Sequence, residues 1–219
     1  MAIDLYYYMV SPFCRSVLLT ARALGIEFNM KEINIFKGEQ HQPEYLAINP
    51  QHNVPTMVDG DVVLWESRAI LTYLVSRYGG KDNSLYPEDP KVRARVDSML
   101  YFDMGTLFAR FFAVFRPLLL GEQDSPPDGA MDKVEEALGW LDGFLTRGRF
   151  VAGTDHVTVA DHALVAVVSG LHAAGLVSSK FENVEKWLVR CTKEMPGYEQ
   201  ANGAGARAFG DFAKSKFNK

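Results

Sequence analysis

The sequence predicts an α/β unit with a small mixed sheet, followed by an all-α unit. Its elements run βαβ, α, ββα, and then helices alone. Three observations carry this. Strand-like apolar runs alternate with helical periods up to about residue 78. The stretch Tyr78 to Pro90 then turns dense in glycine, proline and polar residues, as an inter-domain linker does. Beyond it only helical spacing recurs, which separates the two element types along the chain. The expected boundaries are 1–80 for the first domain, 81–90 for the linker and 91–219 for the helical domain.

Taken in order, Leu5 to Tyr8 reads as a strand, Ser16 to Leu24 as a helix stopped at Gly25, and Glu27 to Ile33 as a second strand. A strand–helix–strand unit of this kind pairs its strands in parallel through a right-handed crossover. Pro43 to Ile48 makes a short helix ended by Asn49-Pro50. Thr56 to Asp59, Gly60-Asp61 and Val62 to Trp65 read as a β-hairpin with a tight turn. Glu66-Ser67-Arg68 opens a helix whose apolar face is Ile70, Leu71, Leu74 and Val75. After the linker, Lys91 to Phe115 is expected as one long helix stopped at Pro117, with Leu118 to Gly129 a loop. Met131 to Leu145 carries a stripe of Val134, Leu138, Leu141 and Leu145. Thr158 to Leu176 and Asn183 to Glu194 are further helices, with more helix towards the C-terminus.

Composition narrows the function. Hydrophobic residues at 47% and charged residues at 23% describe a globule with a sizeable core. A net charge of -4 without a basic run argues against nucleic acid and anionic membranes as partners. Two cysteines far apart, Cys14 and Cys191, are no disulfide framework and fit a reducing compartment. The N-terminus has Asp4, no positive leader and no small-residue cleavage pattern. The apolar segment Val157 to Val177 carries Asp161, His162 and His172, which suits a buried helix better than a membrane span. A cytoplasmic, soluble protein is expected. No metal is expected, because five histidines and two cysteines show none of the close spacings of a zinc site.

The chemistry is expected at helix starts. In Ser11-Pro12-Phe13-Cys14-Arg15-Ser16, Ser11 is a candidate N-cap with Pro12 at the first helical position. Its hydroxyl would sit among free backbone N–H groups at the positive end of a helix dipole, a place that favours an anion. Capping alone is the plain alternative. A non-helical Val54-Pro55 would leave the Val54 N–H and C=O free to pair with an extended peptide, unless Pro55 is an ordinary turn proline. Glu66 and Ser67 suit an α-amino-acid group, the helix start taking the carboxylate and Glu66 the ammonium. His52 and Lys37 are candidates for a second carboxylate, though a lone surface histidine is the plain reading of His41 or His52. Cys14 stands where a Cys-x-x-Cys motif has its second cysteine. One turn into the helix and on its core side, it is expected to be buried and inert. Phe108, Phe111, Phe112 and Phe115, at spacings of three and four, are either core or the wall of an apolar pocket with Arg116 at its rim. Thr158-Val159-Ala160-Asp161 is an N-capping signature, so Asp161 is expected to cap, not catalyse.

In sum the sequence resembles the cytosolic glutathione transferase family over nearly its whole length, most specifically the arthropod delta class, with epsilon a near neighbour. The residues that carry this are Ser11 with Cys14-Arg15-Ser16-Val17, Lys37-Gly38-Glu39, and Asn49 to Thr56. Further on come Leu64 to Ile70, Leu100 to Leu107, Phe150 to Gly153 and Thr158 to Asp161. The resemblance implies a thioredoxin-like glutathione-binding domain and a helical domain carrying the electrophile pocket. It implies that Ser11 donates a hydrogen bond to the glutathione sulfur and favours its thiolate. Val54 would hold the cysteinyl part by its backbone before a cis Pro55. Glu66, Ser67 and Arg68 would hold the γ-glutamyl end, and His52 would meet the glycyl carboxylate. Asp103 would reach the site of a neighbouring subunit, since the family forms homodimers with Tyr101 and Met104 near the interface. Phe108, Phe111, Phe115 and Arg116 would form the electrophile pocket. The implied activity is addition of the glutathione thiolate to small apolar electrophiles, with glutathione as co-substrate and no metal.

Four positions depart from the family pattern. Gln40 stands where delta enzymes tend to have a second histidine, with His41 adjacent. Phe108 and Phe115 replace frequent aromatic hydroxyls. His162 replaces a larger apolar partner of the capping staple. The alternative from another class is a non-catalytic carrier of apolar ligands on the same fold.

Overall fold

The first strand and the strand after its helix do pair in parallel. The computed structural model describes residues 2–217, and in it β1 (Ile3–Tyr7) sets Ile3 against Phe28 and Leu5 against Met30 of β2 (Phe28–Glu32). Between them runs α1 (Pro12–Leu24), closed by Gly25 in the left-handed conformation at φ 68°. A short α2 (Pro43–Leu46) precedes the hairpin of β3 (Thr56–Asp59) and β4 (Val62–Leu64), whose turn uses Gly60 at φ 62°. The β3 strand adds antiparallel to β1, giving the sheet order β2-β1-β3-β4. Then α3 (Ser67–Tyr78) packs beside α1 on the sheet. Ile3, Leu5 and Met57 from the sheet, Val17 and Leu19 from α1, and Ile70, Leu71 and Leu74 from α3 share one core.

The helical part is organised around α7 (Val159–Ala173), which is buried from Val159 through Leu171. A helix apolar all round belongs inside a fold. It touches α1 and α3 on one side, and α4 (Pro90–Phe102), α8 (Glu182–Glu194) and α9 (Ala204–Phe217) on others. Asp161 holds its start. The carboxylate accepts from the Thr158 N–H and hydroxyl at 2.9 Å, from the Val151 N–H at 3.0 Å and from the Trp187 indole at 2.9 Å. The expected stripe of α6 (Ala130–Phe144) is buried through Val134, Leu138 and Leu141, and continues into Leu145.

Two expectations for the long helix are corrected. It is not one regular α-helix, because a π-helical turn, Asp103–Phe108, separates α4 from α5 (Ala109–Leu119). It also does not stop at Pro117 but runs on to Leu119. So near the end, a proline removes one hydrogen bond from a helix about to finish. By length and apolarity the whole run Pro90–Leu119 is long enough to cross a membrane. In the fold, its Val96, Leu100, Leu107, Phe111, Val114, Phe115 and Leu118 belong to the core.

Candidate functional site

The starts of α1 and α3, the loop before β3 and the π-helical turn all face one cavity of about 480 Å³. Its lining divides by chemistry. Ser11, Gln40, His52, Asn53, Val54, Pro55, Glu66, Ser67 and Arg68 form one side, and Val10, Phe13, Met104, Phe108, Phe111, Phe112, Leu119 and Phe209 the other. A mostly apolar cleft with a few convergent polar groups is the usual form of a small-molecule site.

Ser11 is at the N-cap of α1 by backbone, at φ -66° and ψ 122°, yet its hydroxyl makes no capping hydrogen bond. Pro12 follows at the first helical position, where a missing N–H costs nothing. The hydroxyl is left to the cavity and to the neighbouring Cys14 thiol. Cys14 itself is fully buried with Tyr45 and Val54. Burial pushes its thiol up to about 11, although the Tyr8 N–H and the Ser11 hydroxyl donate to the sulfur. It is a neutral packing residue, without the thiolate that nucleophilic attack requires.

The loop before β3 is held by Asn49, which is fully buried. Its amide donates to the Asn53 carbonyl at 3.1 Å and to the Thr56 hydroxyl at 2.9 Å, while its oxygen accepts from the Gln51 N–H at 2.9 Å. The Val54–Pro55 peptide is cis. Among the described residues, no hydrogen bond uses the Val54 N–H or C=O, so both remain available to an extended ligand. His52, on the same loop, has a positive φ of 45°, an uncommon conformation outside glycine. It lines the cavity, with the His41 ring 4.7 Å behind it. Gln40 lines the cavity as well, with a buried Oε1 that has no partner, whereas His41 and Lys37 do not line it.

At α3, Glu66 takes the N-cap and again makes no side-chain capping bond. Ser67 is buried and accepts a hydrogen bond from Arg68 at 3.1 Å. The Arg68 guanidinium lies 4.5 Å over the Phe13 ring, and Phe13 packs on Phe108 at 4.2 Å. This stack joins the polar and apolar halves.

Three expected residues stand elsewhere. Asp103 does not line the cavity. It is fully buried and ion-paired with Arg68 of its own chain, so it has no direct reach into this cavity. Phe115 is fully buried between Phe111 and Phe209, with centroids at 4.7 and 4.9 Å, and belongs to the core. Arg116 is exposed and paired with Glu122 at 3.1 Å, away from the rim. In their place stand Phe112, Met104 and, from the last helix, Phe209.

Two family models match the chain. The N-terminal domain of glutathione S-transferases covers residues 5–82, and their C-terminal domain covers residues 71–194. The chain belongs to the glutathione S-transferase family. Glutathione S-transferase D7 of Drosophila melanogaster is 46% identical over 202 residues, which is 90% of this chain and 88% of that one. A delta-class glutathione transferase of Nilaparvata lugens is 45% identical with a TM-score of 0.92, covering 98% of this chain and 99% of that one. An epsilon-class glutathione S-transferase of the housefly, Musca domestica, is 41% identical with a TM-score of 0.91, covering 98% of each. The glutathione S-transferase fold thus accounts for both parts of the chain, the thioredoxin-like sheet domain and the helical domain. Among the described residues of this transferase, no group of three or more histidine, cysteine or acidic side chains is placed to hold a metal ion.

Proposed function

We propose that the protein is a glutathione transferase that binds glutathione along the polar side of its cavity and adds the thiolate to apolar electrophiles. The observation that carries this reading is Ser11, which occupies a helix N-cap without a capping hydrogen bond and lines the cavity. There it donates a hydrogen bond to the glutathione sulfur, and the start of α1 adds its dipole. Both favour the thiolate over the thiol. Lowering the thiol pKa by about two units corresponds to roughly 2.7 kcal/mol, within reach of one hydroxyl plus a helix terminus.

The remaining groups orient the tripeptide. Val54 pairs its free N–H and C=O with the cysteinyl backbone, as one more strand would. The start of α3 with Ser67 takes the γ-glutamyl carboxylate and Glu66 its ammonium, while Arg68 is held in place by Asp103. His52 meets the glycyl carboxylate, with Gln40 beside it. Phe108, Phe111, Phe112, Met104 and Phe209 form the electrophile side. Bringing the two reactants together supplies much of the acceleration. With the boundary at residues 81–90, the polar side lies on the first domain and most of the apolar side on the second. Exposed Tyr101 and Met104 support a homodimer, and two free, buried cysteines support a cytoplasmic setting.

The test is a glutathione-conjugation assay of the purified protein across several electrophiles, with Ser11→Ala alongside. Turnover that falls by about 10²-fold or more in the variant supports the assignment. An apolar-ligand carrier without glutathione-dependent turnover is the outcome that overturns it.

A further inference from the structure

Among the described residues, Arg15 is the only lysine or arginine that is fully buried, with 1% of its surface exposed. It follows Ser11 by one turn of α1, and its N–H is bonded to the Ser11 carbonyl at 3.1 Å. The guanidinium crosses into the helical half of the molecule. There it donates to the Asn202 side-chain oxygen at 2.5 Å and to the Ser169 hydroxyl at 3.4 Å. Both partners are neutral, and Nε has none.

The ionisable groups around it supply no counter-charge. Cys14 on α1 and Tyr198, ahead of the π-helical turn Glu199–Gly203, are the acids that act on it, and burial raises both, so neither is ionised at neutral pH. On α7, His162 faces Thr20 and is held neutral by burial. Glu199 is exposed and paired with Arg207 of α9. On α3, Arg68 turns to Asp103, and Tyr73 and Tyr78 turn to Asp59. Burial lowers the Arg15 pKa only to about 10, so the guanidinium stays charged. A buried charge without a counter-ion is a costly arrangement that a stable core avoids.

We propose that Arg15 is a positioning residue of the conjugation site that acts through its charge, and that the counter-ion it lacks in the chain alone is the thiolate of glutathione at Ser11. This rests on the reading of function above. Glycines bring the guanidinium close behind the cavity wall. A Cβ built on Gly170 would lie 3.0 Å from the Phe209 ring and 3.6 Å from an Arg15 terminal nitrogen, so the guanidinium and a ring that lines the cavity both pack against this glycine. A Cβ on Gly205 would lie 2.4 Å from the Met9 carbonyl oxygen and 2.6 Å from Arg15 Cδ, which leaves the side chain room to pass only beside glycine. A charge that favours the thiolate about tenfold corresponds to one pH unit in the thiol's ionisation.

Asn202→Asp tests this, because it sets a carboxylate against Arg15 with almost no change of shape. The readout is the pH at which enzyme-bound glutathione ionises, followed by the ultraviolet absorbance of the thiolate and by the pH profile of kcat/KM. The expected result is a rise on the order of one pH unit in Asn202→Asp, with about tenfold lower kcat/KM on the acid side. Asn202→Ser, which leaves the charge uncompensated, keeps the wild-type value. Ionisation at the wild-type pH in Asn202→Asp, or an equal shift in Asn202→Ser, overturns the proposal. If Asn202→Asp does not fold, Arg15→Lys against Arg15→Gln decides: the lysine variant keeps the low ionisation pH and the glutamine variant loses it, and equal values overturn the role of charge. A wild-type complex without bound thiolate refutes the reading of Ser11 itself. A wild-type thiolate that Asn202→Asp leaves unmoved refutes only the assignment of Arg15.

Discussion

Arg68, in the first turn of α3, is ion-paired with Asp103, the first residue of the π-helical turn, and the Asp103 carboxylate is fully buried. The pair ties the polar side of the cavity to the helix that carries its apolar side. Asp103 has one oxygen on Arg68 and the other without a partner, so the arginine is what offsets its burial. Arg68→Ala is expected to cost about 3–5 kcal/mol of stability, because an unpaired charge stays behind. Urea denaturation checks this. Asp103→Asn should cost less, since Arg68 retains some contact with solvent.

Phe108 and Phe115 separate pocket from core. Phe115→Ala should lower stability by about 3–5 kcal/mol, as a fully buried phenylalanine does when truncated. Phe108→Ala should leave the melting temperature nearly unchanged while raising KM for the electrophile and not for glutathione. Thermal unfolding and initial-rate kinetics distinguish the two.

The Asp161 carboxylate joins the start of α7 to Val151 and Trp187. Asp161→Ala strands several buried donors and is expected to cost more than the roughly 1 kcal/mol of an ordinary cap. Denaturant midpoints at unchanged m-value check it.

Much of this architecture was legible in the residues. Gly25, Asn49-Pro50 and Gly60 punctuate elements whose own periodicity is strong, and Thr158 with Asp161 marks a helix start in plain pattern. The orientation of the phenylalanines was not legible. Phe108 and Phe112 lie four apart on the cavity face, while one face round Phe111 borders both cavity and core and Phe115 lies wholly in the core. Spacing gives the two faces, but only the neighbouring helices decide which is inside. The π-helical turn adds a rotation that apolar spacing does not reveal. Phe209 and Arg15 carried no local signal. One joins the cavity by long-range packing, and the other looks like any surface cation until α7 and α9 close over it.

His162 predicts a pH dependence. Thr20 gives its hydroxyl proton to the Ser16 carbonyl, so His162 Nδ1 donates to Thr20, and the buried Nε2 is left with a lone pair and no partner. Burial drives the imidazole pKa down to about 3, from 6.5. As the pH falls, the unfolded chain takes up this proton first. The contribution to stability is therefore whole above about pH 6.5 and is lost on acidification towards about pH 3, at up to about 1.4 kcal/mol per pH unit. His162→Gln should flatten this part of the profile, which denaturation at pH 7, 6 and 5 would show as a smaller acid loss than in the wild type (about these three pH values suffice, given the slope).

The role proposed for Ser11 is to stabilise a thiolate. The direct measurement is the pH at which glutathione ionises when bound to the wild-type protein and to Ser11→Ala. The expected result is ionisation about two pH units below that of free glutathione in the wild type, and a return most of the way to the free value in the variant, with glutathione still bound. Equal ionisation in the two proteins would contradict it.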